Sequence, residues 1–190
     1  MSAWDLPTSL SVGGKELQIR TDYRAILDIL KCFSDPDFEA DEQWEVCLRI
    51  LFTDRIFENF SSEEMQEAME MASWFIDMGM KDDGKVKPRT MDWEQDASVI
   101  IPSVNRVIGK EIRALEYLHW WTFLGAYMEI GESLFSQILS IRIKKSKGKK
   151  LEKWEREFYK ENKHLIDMQI RYTEEEKEEK AELIKILDGR

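Results

Sequence analysis

The sequence predicts a mainly α-helical protein: a helical-bundle core with a short N-terminal β-hairpin and a protruding C-terminal helical tail. Three observations predict it. Apolar and polar residues alternate only near the start, on either side of Gly13-Gly14. From there to residue 143 the apolar residues recur at a helical period of about 3.6. Beyond residue 143 the chain turns strongly charged and the apolar residues thin to a narrow seam. Residues 1–143 are thus expected to form the hairpin and helical core, and residues 144–190 an amphipathic helical extension of the same domain.

The hairpin rests on Leu10, Val12, Leu17 and Ile19, with two glycines supplying the positive φ angles of a tight turn. A lone hairpin is marginal in water, so it should pack on the helices. Thr21 or Asp22 caps a first helix carrying Tyr23, Ile26, Leu27 and Leu30, and Asp35-Pro36-Asp37 ends it. Asp41 precedes a second helix with Trp44, Cys47, Leu48 and Leu51 on one stripe. Ser61 or Ser62 opens a third, with Glu63 and Glu64 well placed for the helix dipole. Its stripe is Met65, Met69, Ala72, Phe75 and Ile76, and Gly79 is its stop. Residues 80–91 read as a polar loop. Asp92 is the expected cap of a helix from Trp93, kinked at Pro102. Residues 110–130 leave little polar face, which predicts a central helix with Trp120, Trp121 and Leu124 buried. A further helix is expected at about Ser133 to Ile143. The charged extension carries Leu151, Trp154 and Phe158, then a Glu/Lys stretch, then an apolar patch from Leu183 to Leu187.

Composition narrows the function. A chain of 190 residues is long enough for one independent core. Its 28 basic residues stand against 38 acidic ones, a net charge of −10, so it is not a general phosphate binder. Two Cys do not frame a disulfide-rich secreted fold. No apolar run is long enough for a bilayer span, and the N-terminus lacks a secretory signal. The expectation is a soluble intracellular protein.

No residue set carries chemistry. Nucleophilic catalysis needs a base beside the nucleophile. The only serious base, His119, lies in the aromatic run Leu118-His119-Trp120-Trp121, where a structural histidine is the simpler reading. His164 sits on a charged segment. Cys32 and Cys47 are each most simply a small apolar residue on a helix. Dispersed as they are, two Cys and two His have none of the usual zinc spacings. Gly13-Gly14 fits no phosphate loop. The expectation is therefore a protein that is not an enzyme and has no cofactor and no metal.

Two features favour interaction instead. Methionines 65, 69, 71, 78 and 80 cluster within one short stretch. Met is flexible and polarizable, and adaptable binding surfaces overuse it. Met65 and Met69 belong on the buried stripe; Met71, Met78 and Met80 lie partly off it and are the surface candidates. The second feature is the basic run Arg142, Lys144, Lys145, Lys147, Lys149, Lys150. Its plain reading is a solvated linker complementing the acidic helices. Contact with a partner protein or with nucleic acid is the alternative, the latter weakened because no stacking aromatics interleave these lysines. The seam Leu151, Trp154, Phe158 and the patch ending in Leu183 and Leu187 suit one helical neighbour. That neighbour is a second copy or a partner helix, unless the segment folds back on its own domain.

Several strings go further. Ile19-Arg20-Thr21-Asp22-Tyr23-Arg24 follows the hairpin. Then come Asp92-Trp93-Glu94-Gln95-Asp96-Ala97, Leu118-His119-Trp120-Trp121-Thr122-Phe123 and Ile141-Arg142. Together with Lys149-Lys150-Leu151 through Trp154-Glu155-Arg156-Glu157-Phe158-Tyr159, they resemble the bacteriophage gene-product-fifteen family of Gram-positive siphophages and prophages. The resemblance covers about residues 10–160. It implies a role in tail morphogenesis: a tail-assembly chaperone that binds the tape-measure protein, and with it meets tail-tube protein, in the bacterial host cytoplasm. A structural tail or connector component is the alternative, and a nucleic-acid-binding regulator using residues 142–156 a more distant one. The family supplies no catalytic motif to carry over.

Overall fold

A computed structural model of the chain describes residues 4–53, 59–81, 84, 88–169, 171–176 and 178. It is mainly helical with one short antiparallel hairpin. The hairpin strands are β1 (Ser9–Val12) and β2 (Lys15–Gln18), paired with Leu10 opposite Leu17. Gly13 and Gly14 turn the chain at φ 56° and 71°. Gly13 is demanded twice over: a Cβ there would lie 2.6 Å from a Glu64 carboxylate oxygen. Its N–H donates to Glu67 at 2.7 Å. The turn is thereby pinned on the third helix, and Leu10, Val12 and Leu17 are buried beneath it.

The helices that follow among the described residues include α1 (Tyr23–Phe33), α2 (Ala40–Leu51), α3 (Ser62–Ile76), α4 (Ala97–Ile108), α5 (Trp120–Met128), α6 (Leu134–Ser146), α7 (Lys153–Glu161) and α8 (Lys163–Ile166). The starts obey capping chemistry. Asp22 accepts from the Arg24 N–H at the head of α1. Ser61 and Glu64 form a reciprocal capping box on α3, and Ser133 and Ser136 one on α6. The start of α2 is set by Glu39 and Glu42, two residues ahead of the expected Asp41. Pro102 lies inside α4, and Gly109 ends that helix in the left-handed conformation. Helix α1 packs on α2 and α5, α2 on α3, α4 on α5 and α6, and α6 on α8. One buried apolar cluster joins them, from Leu10 in the hairpin to Ile166 in α8.

The expected central helix over 110–130 is only half there. Ile112–Ala114 is a single 3-10 turn, and α5 starts at Trp120. Between them, residues 115–118 spend their backbone groups on a different partner. Leu118 accepts from the Tyr23 N–H at 2.9 Å, and the Asp22 carboxylate accepts from the Leu118 N–H at 3.1 Å. The Arg24 guanidinium reaches the Leu115 carbonyl at 2.7 Å. A run apolar on all sides reads as one helix because periodicity does not register where such long-range bonds interrupt it.

Trp120 is 1% exposed and Leu124 is buried, as expected, but Trp121 is only partly buried. Both indoles donate to the end of α3: Trp120 Nε1 to the Ile76 carbonyl and Trp121 Nε1 to the Phe75 carbonyl, each at 2.8 Å. Trp120 also stacks on Phe123, and Phe123 on Tyr23 at 4.8 Å between ring centroids. The tail divides as well. The boundary at residue 143 falls inside α6, and Ile166 is 1% exposed, so residues 151–168 fold back on their own domain. Leu183 and Leu187 lie outside the described residues.

Trp120 ties α5 to the end of α3 and stacks on Phe123, which in turn stacks on Tyr23 of α1. Trp120→Ala should destabilise the fold by ~3–5 kcal/mol, the range for deleting a fully buried large aromatic. Trp121→Ala should cost clearly less. Urea denaturation of both variants checks the order.

Candidate partner-binding site

The string Asp92 to Ala97 does not begin a helix at Trp93; it folds as a turn ahead of α4. Asp92 still caps, but the cap is local: one carboxylate oxygen accepts from the N–H groups of Glu94 and Gln95 at 2.9 and 2.8 Å. Its other oxygen accepts from Arg89 and from Arg171. Gln95 holds the returning chain with both ends of its amide, donating to the Asp167 carbonyl at 2.8 Å and accepting from the Gln169 N–H at 3.0 Å. Glu94 pairs with Lys31 and Arg171, and the hydrogen bond from Lys31 draws its carboxyl below the usual range.

Beneath this turn lies a buried ion pair. Arg142 meets Asp96 through two parallel bonds of 2.7 and 2.8 Å, with side chains 4% and 2% exposed. The guanidinium also donates to the carbonyls of Thr90, Leu165 and Ile166. Arg142 was the first member of the expected basic run, yet it is a core residue. The signal was available in its spacing, four residues after buried Ile138 and next to buried Ile141. Two more of the run are used internally. Lys144 pairs with buried Glu155 at 2.6 Å, and Lys145 pairs with Asp167 at 2.7 Å while lying over the Tyr159 ring. Hydrogen bonding from Lys144 pulls the Glu155 carboxyl below its ordinary pKa.

His119 is the N-cap of α5. Its Nδ1 accepts from the Trp121 N–H and its Nε2–H donates to the Pro7 carbonyl, each at 3.0 Å. Burial pushes its pKa down, against a smaller opposing effect of the Pro7 bond. Cys32 and Cys47 are buried free thiols, and burial raises both, Cys47 to about 12. Among the described residues no group of three or more His, Cys, Asp or Glu is placed to hold a metal ion. Among them, too, no helix is long and apolar enough to cross a membrane.

The sequence-predicted binding residues do not meet in one place. Met71 and Met78 are partly buried against the core, while Met80 is exposed. Leu151 and Phe158 turn onto the core, whereas Trp154 points to solvent at 51% exposure. Met65 and Met69, assigned to the core stripe, are only partly buried and border an open groove. With Phe60 from the approach to α3 and Leu48 from α2, they line a groove of about 420 Å³ whose edge carries Asp41, Glu45 and Arg49. Arg49 is tied to Glu45 by two bonds of 2.7 and 2.9 Å. A larger cleft, about 600 Å³, is lined by residues 35–37 and by Gln169, Arg171, Tyr172 and Glu174. The Asp92, Glu94 and Arg171 pairs already described form part of its wall, and the carboxylates of Asp35 and Asp37 there accept from the backbone N–H groups of Asp37 and Glu174.

The strings that suggested a family are therefore the ones that bond to each other: 19–24 with 118–120, and 92–96 with 142 and its neighbours. A family model described as Bacteriophage Gp15 protein matches residues 4–168. The chain belongs to the bacteriophage Gp15 family. Comparison with curated proteins and with solved structures gave no match. As a Gp15 protein it falls in the structural and morphogenesis class of phage proteins. The match ends at residue 168, within the segment that Arg142 and Gln95 anchor.

Two predictions follow from this geometry. Arg142→Ala leaves Asp96 buried without its partner, and removing one member of a buried pair costs ~3–5 kcal/mol. Hydrogen exchange should rise around residues 165–169 in that variant, whereas the apolar pair Asp96→Leu/Arg142→Met should recover part of the stability. For His119 the folded-state pKa lies below the unfolded value of 6.5. The unfolded state then binds more protons, so the cap's contribution is complete above that value and fades as pH falls through it. The melting temperature should drop between pH ~7 and pH ~5. In His119→Asn, which keeps an N-cap acceptor without the titration, the drop should be absent.

Proposed function

We propose that this chain is a non-enzymatic tail-assembly chaperone that acts in the bacterial host cytoplasm. It binds the tape-measure protein and holds it soluble until tail-tube protein polymerises around it. The observation that carries the reading is the groove between α2 and α3. A tape-measure protein is a long helical chain whose apolar stripes would self-associate before assembly. A holder for it needs an apolar trough that accepts a helix without demanding one sequence. Met65 and Met69 supply that trough, because thioether side chains re-pack around different apolar neighbours. Membership of the Gp15 family supports the phage setting.

The affinity of one such groove is modest, and that suits the role. Many weak contacts along one client give avidity while leaving each contact reversible. Release then needs only competition by tube protein for the same apolar stripe, with no nucleotide.

The test is co-expression with the tape-measure protein encoded by the same phage. The client should be soluble with the wild-type chain and insoluble with Met65→Lys/Met69→Lys, whose own melt should stay close to wild type. A client that is equally soluble with that variant would overturn the groove assignment. Finished particles should lack the chain by mass spectrometry; stoichiometric presence would favour a structural tail component instead.

A further inference from the structure

Trp154 is the residue that the fold leaves unexplained. It sits on α7 at 51% exposure, with its Nε1 donating to Glu152 at 3.2 Å. Half-exposed tryptophans are costly to leave in water and are enriched at protein contacts. The stretch that carries it, residues 147–157, is net basic: exposed Glu152 and Glu157 stand against more numerous exposed cations. Lys147, Lys149, Lys150, Lys153 and Arg156 are all exposed, and among the described residues none of them makes an ion pair. An aromatic knob in a basic surround calls for an apolar hollow with an acidic edge.

The same chain carries one elsewhere. The α2/α3 groove is floored by Phe60, Met65, Met69 and Leu48. Asp41 and Glu45 stand on its edge, and exposed Glu42, Glu63 and Glu70 continue the negative charge along α2 and α3. Arg49 is the one basic residue on these two helices, and Glu45 already holds it. Sulfur against an aromatic ring is a favourable contact, so Met65 and Met69 suit an indole in particular.

We propose that a second copy of this chain seats Trp154 in the α2/α3 groove, with its basic surround facing the acidic edge. Knob and groove are different surfaces, so the contact is head-to-tail. The two end copies keep one free knob and one free groove between them, so the assembly grows as a chain or closes as a ring. The self-contact occupies the groove that the reading above gives to the tape-measure client. Client and neighbouring copy would then compete, which keeps the methionines covered when no client is present. The self-contact does not depend on that reading, and its test uses the purified chain alone.

Sedimentation velocity of the full-length chain should show association that grows with concentration from micromolar to millimolar. It should weaken as salt rises, because exposed charges are screened. Trp154→Ser and the edge variant Asp41→Lys should each be monomeric with an unchanged helical melt. Met69→Lys serves as a second groove variant. Mixed in equal amounts, Trp154→Ser and Asp41→Lys should form a dimer that grows no further, since one intact groove then meets one intact knob. A wild-type chain that stays monomeric overturns the proposal. So does a Trp154→Ser variant that associates like wild type, or a mixture that stays monomeric. Loss of client solubility without loss of self-association would count against the client reading only.

Discussion

Arg142 brings a permanent positive charge into the interior, and the C-terminal half of the fold is arranged around satisfying it. Taking a guanidinium out of water is expensive unless every donor finds an acceptor. Here Asp96 takes two of its N–H groups in the planar, bidentate geometry that suits arginine. The remaining capacity goes to three backbone carbonyls, at Thr90, Leu165 and Ile166. Those carbonyls belong to segments far apart in sequence. One ion pair therefore joins the loop before α4, the middle of α6 and the end of α8. It also explains the turn at 92–96: with Asp96 committed inward, its second oxygen accepts from the Asp92 N–H at 2.9 Å, and α4 waits until Ala97.

A second tie does for the N-terminal half what Arg142 does for the C-terminal half. The segment from Arg20 to Tyr23 runs between the end of α2 and the start of α5, bonding to Leu51 on one side and to Leu118 and Trp120 on the other. His119 completes it by capping α5 and reaching back to Pro7. An imidazole fixed this way has both nitrogens occupied, which is a sufficient account of its place among aromatics. The two ties meet across the stacked rings of Tyr23, Phe123 and Trp120, with Trp93 edge-on to Trp120.

Much of this was legible locally, and what was not has one cause. The hairpin, its glycine turn, and α1 to α3 came from alternation, helical period and caps, all of which act within a few residues. The Ser61 cap and the Gly79 stop needed no knowledge of the rest of the chain. The misreadings lie where a side chain answers to a distant partner. Arg142, Lys144 and Lys145 look like a solvated run because Asp96, Glu155 and Asp167 are remote in sequence. Residues 115–118 look helical because nothing nearby reveals that Asp22 and Arg24 will claim their backbone. At the candidate site the same limit operated in reverse. Met65 and Met69 share the stripe of Ala72 and Phe75, and period alone does not say that α2 leaves a gap beside them.

The placement of that gap bears on function. The Arg142 tie lies among α4, α6 and α8, and the second tie joins the end of α2 to α1 and the start of α5. On the groove side, Arg20 donates to the carbonyls of Arg49, Ile50 and Phe52 at the end of α2, the indoles of Trp120 and Trp121 hold the end of α3, the Gly13 turn holds its start, and the two helices meet each other through apolar contact. Apolar contact has no preferred direction, unlike a bidentate ion pair, so small shifts of α2 against α3 cost less than shifts of α4 against α6. Methionine, with its unbranched and rotatable chain, is the apolar side chain best able to follow such shifts. The buried ion pair of α4 and α6 thus backs a groove whose lining is largely apolar and rich in thioethers. A surface that must accept different stretches of a long partner, and then let them go, needs adaptability in the groove and rigidity behind it.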